Sequence, residues 1–180
     1  MVKLENKLIK KKVKIGILGG TFDPAHKGHL TISREALKRF NLKSVIWAIT
    51  DQNPFKEKSV NSLKKRISIC KKVIGTNKSI KVKFFENIVN SNKTADLLFH
   101  LSKNKKYDLF FLMGADNLIN FHKWHKWKQI LKKSNIIVFD RNGYKKKSLN
   151  SKAYRAANEK QVTFVKFKKV NISSSKLRKI

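Results

Sequence analysis

Apolar positions along the chain follow two alternating rhythms. Short continuous apolar runs at residues 13–18, 45–49, 80–85, 107–113, 136–139 and 162–165 predict buried strands. Between them the spacing changes to three and four. Leu30, Ile32, Ala36, Leu37 and Phe40 mark one helix ending near Asn41, and residues 62–74 mark a second that Gly75 stops. Residues 94–101 read as helical, as does a stretch rich in Trp and His running on to Leu131. Residues 151–158 and the segment from Ser173 onward predict further short helices. Strands alternating with helices imply right-handed crossovers and an α/β fold whose mostly parallel sheet is covered on both faces. Ligands of such sheets sit beyond the carboxyl ends of the strands, near a switch in strand order. The loops after the first, second, fourth and sixth strands are therefore expected to converge on one crevice.

Composition narrows the class. With 180 residues, 41% of them apolar, the chain can bury a core without staples, and no repeat or linker divides it. A single domain over 1–180 is expected, with 1–12 a flexible basic lead-in. Cys70 is the only cysteine and lies among Ile69 and Val73, so it reads as a core residue in a reducing compartment. No apolar run is long enough to span a membrane, and the first residues lack the pattern of a signal peptide. A cytoplasmic protein with no membrane partner is the expectation.

Charge is the unusual quantity: 43 Lys and Arg against 11 Asp and Glu leave +32. Nucleic acid is the first thought that such a balance raises. Yet only Arg34, Arg39, Arg66, Arg141, Arg155 and Arg178 are arginine, and the lysines are spread along the whole chain. Dedicated readers of bases cluster their charge and favour arginine. A lysine-biased proteome gives the same pattern, so no specific nucleic-acid partner is expected.

The densest chemistry lies after the first strand, in Gly19-Gly20-Thr21-Phe22-Asp23-Pro24-Ala25-His26-Lys27-Gly28-His29. Gly19 and Gly20 let backbone approach a ligand closely and permit positive φ. The helix that opens near Gly28 and His29 turns free N–H groups and a positive dipole end into the crevice, which is an anion site. His26 and His29, three apart, can both face one phosphate chain. A zinc site is disfavoured, because no third ligand has a fitting spacing. Near the C-terminus, Ser173 and Ser174 open a short helix and Arg178 lies a turn later; capping and a solvated charge are the plainer roles for them. Asp116, behind Gly114, suits either a helix cap or ribose hydroxyls. Trp124 suits either core packing or a flat ligand platform.

The first of these segments resembles the GGxFxPxHxGH motif of the nucleotidyltransferase superfamily, and Ile172 to Arg178 is similar to its second phosphate motif, ISxxxxR. Between them, Gly114-Ala115-Asp116, Phe121-His122-Lys123-Trp124 and Gln52-Asn53-Pro54-Phe55-Lys56 resemble the bacterial nicotinate-nucleotide adenylyltransferases over nearly the whole chain. That resemblance implies a Rossmann-like doubly wound fold and transfer of AMP from ATP to nicotinate mononucleotide, with Mg2+ carried by the ATP phosphates. It implies His26, His29 and Arg178 as catalytic residues. Gly19, Gly20, Thr21, Phe22, Ser173 and Ser174 would join them in binding ATP. Lys56, Thr94, Asp116, Trp124 and His125 would bind the mononucleotide, with Thr94 and His125 using backbone N–H groups. The chain departs from the family pattern in having Lys93 before Thr94 and Asn142 before Gly143. The last helix would also be very short, which predicts weak ATP binding. Phosphopantetheine adenylyltransferases share the histidine loop but not the Gly114-Ala115-Asp116 block. An RNA-binding protein would explain the charge without explaining either phosphate motif, and a degenerate, inactive fold is disfavoured because every motif residue is present.

Overall fold

The computed structural model describes residues 11–53, 58–140, 143–158 and 161–166. Within them the strands are β1 (Val13–Gly20), β2 (Ser44–Ile49), β3 (Ile80–Phe84), β4 (Tyr107–Gly114), β5 (Asn135–Phe139) and β6 (Val162–Val165). They form one sheet in the order β3-β2-β1-β4-β5-β6, and every neighbouring pair is parallel. Strand order reverses at β1, which lies between β2 and β4. That is the switch point of a doubly wound Rossmann-like sheet.

The helices are α1 (Lys27–Phe40), α2 (Leu63–Ile74), α3 (Glu86–Val89), α4 (Thr94–Ser102), α5 (Ala115–Ile119), α6 (Trp127–Lys133), α7 (Lys145–Leu149) and α8 (Lys152–Ala156). Alternation along each strand divides the buried side chains into two cores. Leu18, Val45, Trp47, Phe110, Leu112 and Ile137 pack with Ala36 of α1 and Cys70 and Ile74 of α2. Ile17, Leu109, Phe111, Met113, Ile136 and Val138 face the other way, onto Ala95 and Leu98 of α4, Leu118 of α5 and Ile130 of α6. β4 shows why its sequence is the most apolar: consecutive residues Leu109 to Met113 are all buried because both faces are covered.

Three local expectations change. β1 runs on through Gly19 and Gly20, which pair with Ala48 and Ile49 of β2 instead of opening a loop. Neither glycine has positive φ; the left-handed residue of this turn is Phe22, at φ 50°. Second, the Trp- and His-rich stretch is not one helix. It breaks into α5, a 3-10 turn at Phe121–Lys123, and α6, because Trp124 is extended and Lys126 is left-handed at φ 49°. Third, α5 starts at Gly114, so Asp116 lies in its first turn and is not its cap. Residues 1–10, most of the expected flexible lead-in, lie outside the described residues.

Candidate functional site

The site is assembled at the carboxyl ends of β1, β2 and β4. A cleft of about 820 Å³, counting its part open to solvent, is floored by Gly19, Gly20 and Phe111 and walled by Thr50, Gln52, Glu86, Lys93, Thr94, Trp124 and His125. The two glycines keep its floor bare. A Cβ built on Gly19 would meet nothing nearer than the Phe111 ring at 3.7 Å, so it would project into the cleft instead of clashing. These glycines therefore serve close approach and not a special backbone angle.

Beside the cleft the chain enters α1 through a pair of reciprocal caps. His26 is the N-cap, and its Nδ1 accepts a hydrogen bond from the Gly28 N–H at 3.1 Å. The His29 Nδ1 accepts in turn from the His26 N–H at 3.2 Å. An imidazole that accepts at Nδ1 carries its proton on Nε2 when neutral. Both rings therefore turn an Nε2–H donor away from the helix end, with centroids 3.9 Å apart. The first turn of α1 contains no acidic side chain, so nothing on the helix itself cancels its positive end.

Aromatic packing fixes these rings from behind. Phe22 is buried, stacks on Trp47 at 5.0 Å, and touches His29 at 4.9 Å. Trp47 presents its edge to His29 at 5.9 Å. The Trp47 indole N–H donates to Ser33 Oγ at 2.8 Å, and Ser33 Oγ donates to the His29 carbonyl at 2.9 Å. Asp23, also buried, accepts from the Val60 N–H and the Asn61 side-chain amide, both at 2.6 Å, and so ties the turn after β1 to the start of α2.

On the far wall, Trp124 is half-buried and held edge-on by Phe111 at 6.1 Å and Phe121 at 5.4 Å. Lys93 caps α4 without a side-chain hydrogen bond, and Thr94 is the first residue of that helix. The backbone N–H groups of Thr94 and His125 form no hydrogen bond to a described residue, and both residues line the cleft. Asp96, one turn into α4, accepts from Ser91 Oγ at 2.7 Å and lies 4.0 Å from Lys126 Nζ, joining the two sides of this wall. Glu86 closes the cleft from α3. Its Oε1 accepts from Thr50 Oγ1 and from the Asp51 N–H.

Sequence-predicted residues thus fall into three groups. Gly19, Gly20, Thr94, Trp124 and His125 line one cleft. Thr21, Phe22, His26 and His29 form the adjoining turn and helix start, and Asp116 follows β4 outside the cleft lining. Lys56, Ser173, Ser174 and Arg178 lie outside the described residues. Among the described residues no three His, Cys, Asp or Glu side chains gather as a metal site.

Arg66, Asp23, Ser33, Trp47 and Glu86 were not flagged by the motifs. Arg66 carried a readable signal, since it repeats with Cys70 and Ile74 at the helical spacing of the buried face of α2. Cys70 itself is fully buried, and desolvation pushes its thiol up to about 12 despite the nearby Arg66 charge. It is an inert core thiol.

The cytidylyltransferase-like family matches residues 17–180. The chain is 64% identical over 180 residues, the full length of both, to a probable nicotinate-nucleotide adenylyltransferase of Pelagibacter ubique. It is 36% identical over 149 residues, 82% of this chain and 78% of the relative, to the protein of the same name from a Ruegeria species. Among solved structures it resembles nicotinic acid mononucleotide adenylyltransferase of Plasmodium falciparum complexed with NaAD. The TM-score is 0.73 at 18% identity, covering 93% of this chain and 83% of that one. At that identity the likeness speaks for the fold alone.

Proposed function

We propose, from the premise that the chain belongs to the nicotinate-nucleotide adenylyltransferase family, that it transfers the adenylyl group of ATP to nicotinate mononucleotide. The products are nicotinate adenine dinucleotide and pyrophosphate. The observation that carries this reading is the cleft wall, where an indole face stands beside two backbone N–H groups, of Thr94 and His125, that have no partner among the described residues. A flat ring bearing a carboxylate answers both features: the ring stacks on Trp124 and the carboxylate takes the N–H groups.

In the proposed reaction a 5′-phosphate oxygen of the mononucleotide attacks the α-phosphorus of ATP. The bond from that phosphorus to the bridging oxygen breaks as the new bond forms, and pyrophosphate leaves with the electron pair. No protein nucleophile is needed, so catalysis consists of positioning and charge stabilisation. The Nε2–H groups of His26 and His29 donate to phosphate oxygens, and the Phe22 N–H meets the reacting phosphate. Asp116 accepts from ribose hydroxyls, and Gly19 and Gly20 leave room for the nucleotide to lie against β1. Mg2+ arrives with ATP as part of the substrate and neutralises its phosphate charge. Lys56 is assigned to the mononucleotide phosphate, and Ser173, Ser174 and Arg178 to the triphosphate.

The test is pyrophosphate release from MgATP with nicotinate mononucleotide, nicotinamide mononucleotide or phosphopantetheine as acceptor. Strong preference for the acid, abolished by His29→Ala, is the expected result. Release with phosphopantetheine alone, or with no acceptor, would overturn the reading.

A further inference from the structure

The motifs make no use of Arg66, yet it is the most heavily hydrogen-bonded side chain near the site. It lies in the first turn of α2 and is 1% exposed. Its Nη1 donates to the Thr21 carbonyl at 2.8 Å and to the Thr50 carbonyl at 2.7 Å. Its Nη2 donates to Asp51, to the carbonyl at 3.3 Å and to Oδ1 at 2.9 Å, and Nε donates to the Asn61 carbonyl at 3.0 Å. One planar fork therefore gathers the ends of β1 and β2 and the entry to α2. A buried guanidinium is costly unless every donor is answered, and here the answers are mostly backbone carbonyls.

The peptide plane converts these bonds into directions. In a trans peptide the C=O and the following N–H point opposite ways. The sole cis bond among the described residues is Asp23–Pro24, so the peptides after Thr21 and Thr50 are trans. Drawing the Thr50 carbonyl inward should turn the Asp51 N–H outward, and that N–H does meet Glu86 Oε1 at 3.1 Å on the cleft side. The same geometry at Thr21 turns the Phe22 N–H away from Arg66, and this N–H has no partner among the described residues. Phe22 is held at φ 50° with its ring wedged between Trp47 and His29, so the peptide cannot simply rotate.

We propose that Arg66 is a positioning residue that, by holding the Thr21 carbonyl from inside, aims the Phe22 N–H at the reacting phosphate. The assignment rests on the adenylyl-transfer reading for the identity of that phosphate. Lysine cannot replace the fork, since a single ammonium does not span carbonyls set around a plane.

The experiment compares wild type, Arg66→Lys and Arg66→Met in pyrophosphate release, each shown folded by circular dichroism at the assay temperature. Should Arg66→Met fail to fold, Arg66→Lys decides. The expected result is a fall in kcat of more than about fivefold, larger than the rise in KM for either substrate, because the lost contact serves the transition state. A kcat within about fivefold of wild type, or a loss carried mainly by KM, overturns the proposal. A second arm needs no turnover: amide spectra titrated with pyrophosphate. The Phe22 amide resonance is expected to move in wild type and to lose at least half that movement in Arg66→Lys. An unmoved resonance in wild type, or equal movement in both, overturns the inference. Wild type that releases no pyrophosphate overturns the reaction alone, and the spectra then judge the anchor.

Discussion

Ser33→Ala isolates one polar contact in an otherwise apolar setting. Ser33 and Trp47 are both fully buried, and the serine oxygen is the acceptor for the indole N–H at 2.8 Å. Removing the hydroxyl leaves that N–H buried with no acceptor, which costs about 1–3 kcal/mol. The His29 carbonyl loses one of its donors but stays within the helical ladder, so its share is small. Alanine returns about 0.5 kcal/mol through its higher helix propensity. The net expectation is a loss of about 1.5 kcal/mol, or about 3–6 °C in melting temperature for a chain of this size. Urea unfolding of wild type, Ser33→Ala, Trp47→Phe and the double variant forms a cycle that reads the contact itself. In the Trp47→Phe background no N–H remains to be stranded, so Ser33→Ala should there cost close to nothing. A Ser33→Ala penalty that is the same in both backgrounds, with coupling below about 0.5 kcal/mol, would falsify the argument from a stranded donor.

Other expectations are as direct. His29→Ala removes an Nε2–H donor and the acceptor for the His26 N–H together, and kcat should fall by about 100- to 1000-fold, measured as pyrophosphate release. Trp124→Ala should raise KM for the mononucleotide by about tenfold, the loss of one stacked ring, and an unchanged KM would place the pyridine elsewhere. Gly114→Ala puts a Cβ where the Asp116 carboxylate now sits, so the carboxylate must move, and kcat/KM should drop while the fold survives by circular dichroism. Cys70 has a folded pKa raised to about 12 from an ordinary value near 9.0. The unfolded chain loses that proton first as pH rises. The stabilisation from Cys70 is thus complete below pH 9 and declines toward pH 12, by at most about 1.4 kcal/mol per unit. The difference in unfolding free energy between wild type and Cys70→Ala, followed from pH 8 to 11, checks the sign. A difference that grows in favour of wild type with pH would refute it.

Strand positions, the crossover pattern and the convergence of loops on one crevice were legible because they are written in local periodicity. A buried parallel strand needs apolar residues on both faces, and the run from Leu109 to Met113 has no other reading. The histidine loop was legible because glycines, a proline and two imidazoles at a strand-to-helix junction have few other uses. Sequence alone did not show that His26 and His29 cap each other's helix start through Nδ1, since the spacing that aims both at a phosphate also permits them to turn away. Nor could periodicity detect the break at Trp124, where a left-handed Lys126 interrupts an apolar pattern that still looks helical. Residues 94 and 125 meet across the cleft only because α4 and the turn before α6 pack together.

Arg66 draws the boundary most sharply. Its place on the buried face of α2 is set by helical spacing, and so is readable in the chain. Its five bonds are not, because the carbonyls of Thr21, Thr50, Asp51 and Asn61 belong to segments that only the parallel pairing of β1 with β2 brings within reach of one guanidinium. Local pattern determines which elements form and which face each one buries. Contacts between segments far apart in sequence depend on how those elements dock, and the energy that decides docking is shared across the whole sheet.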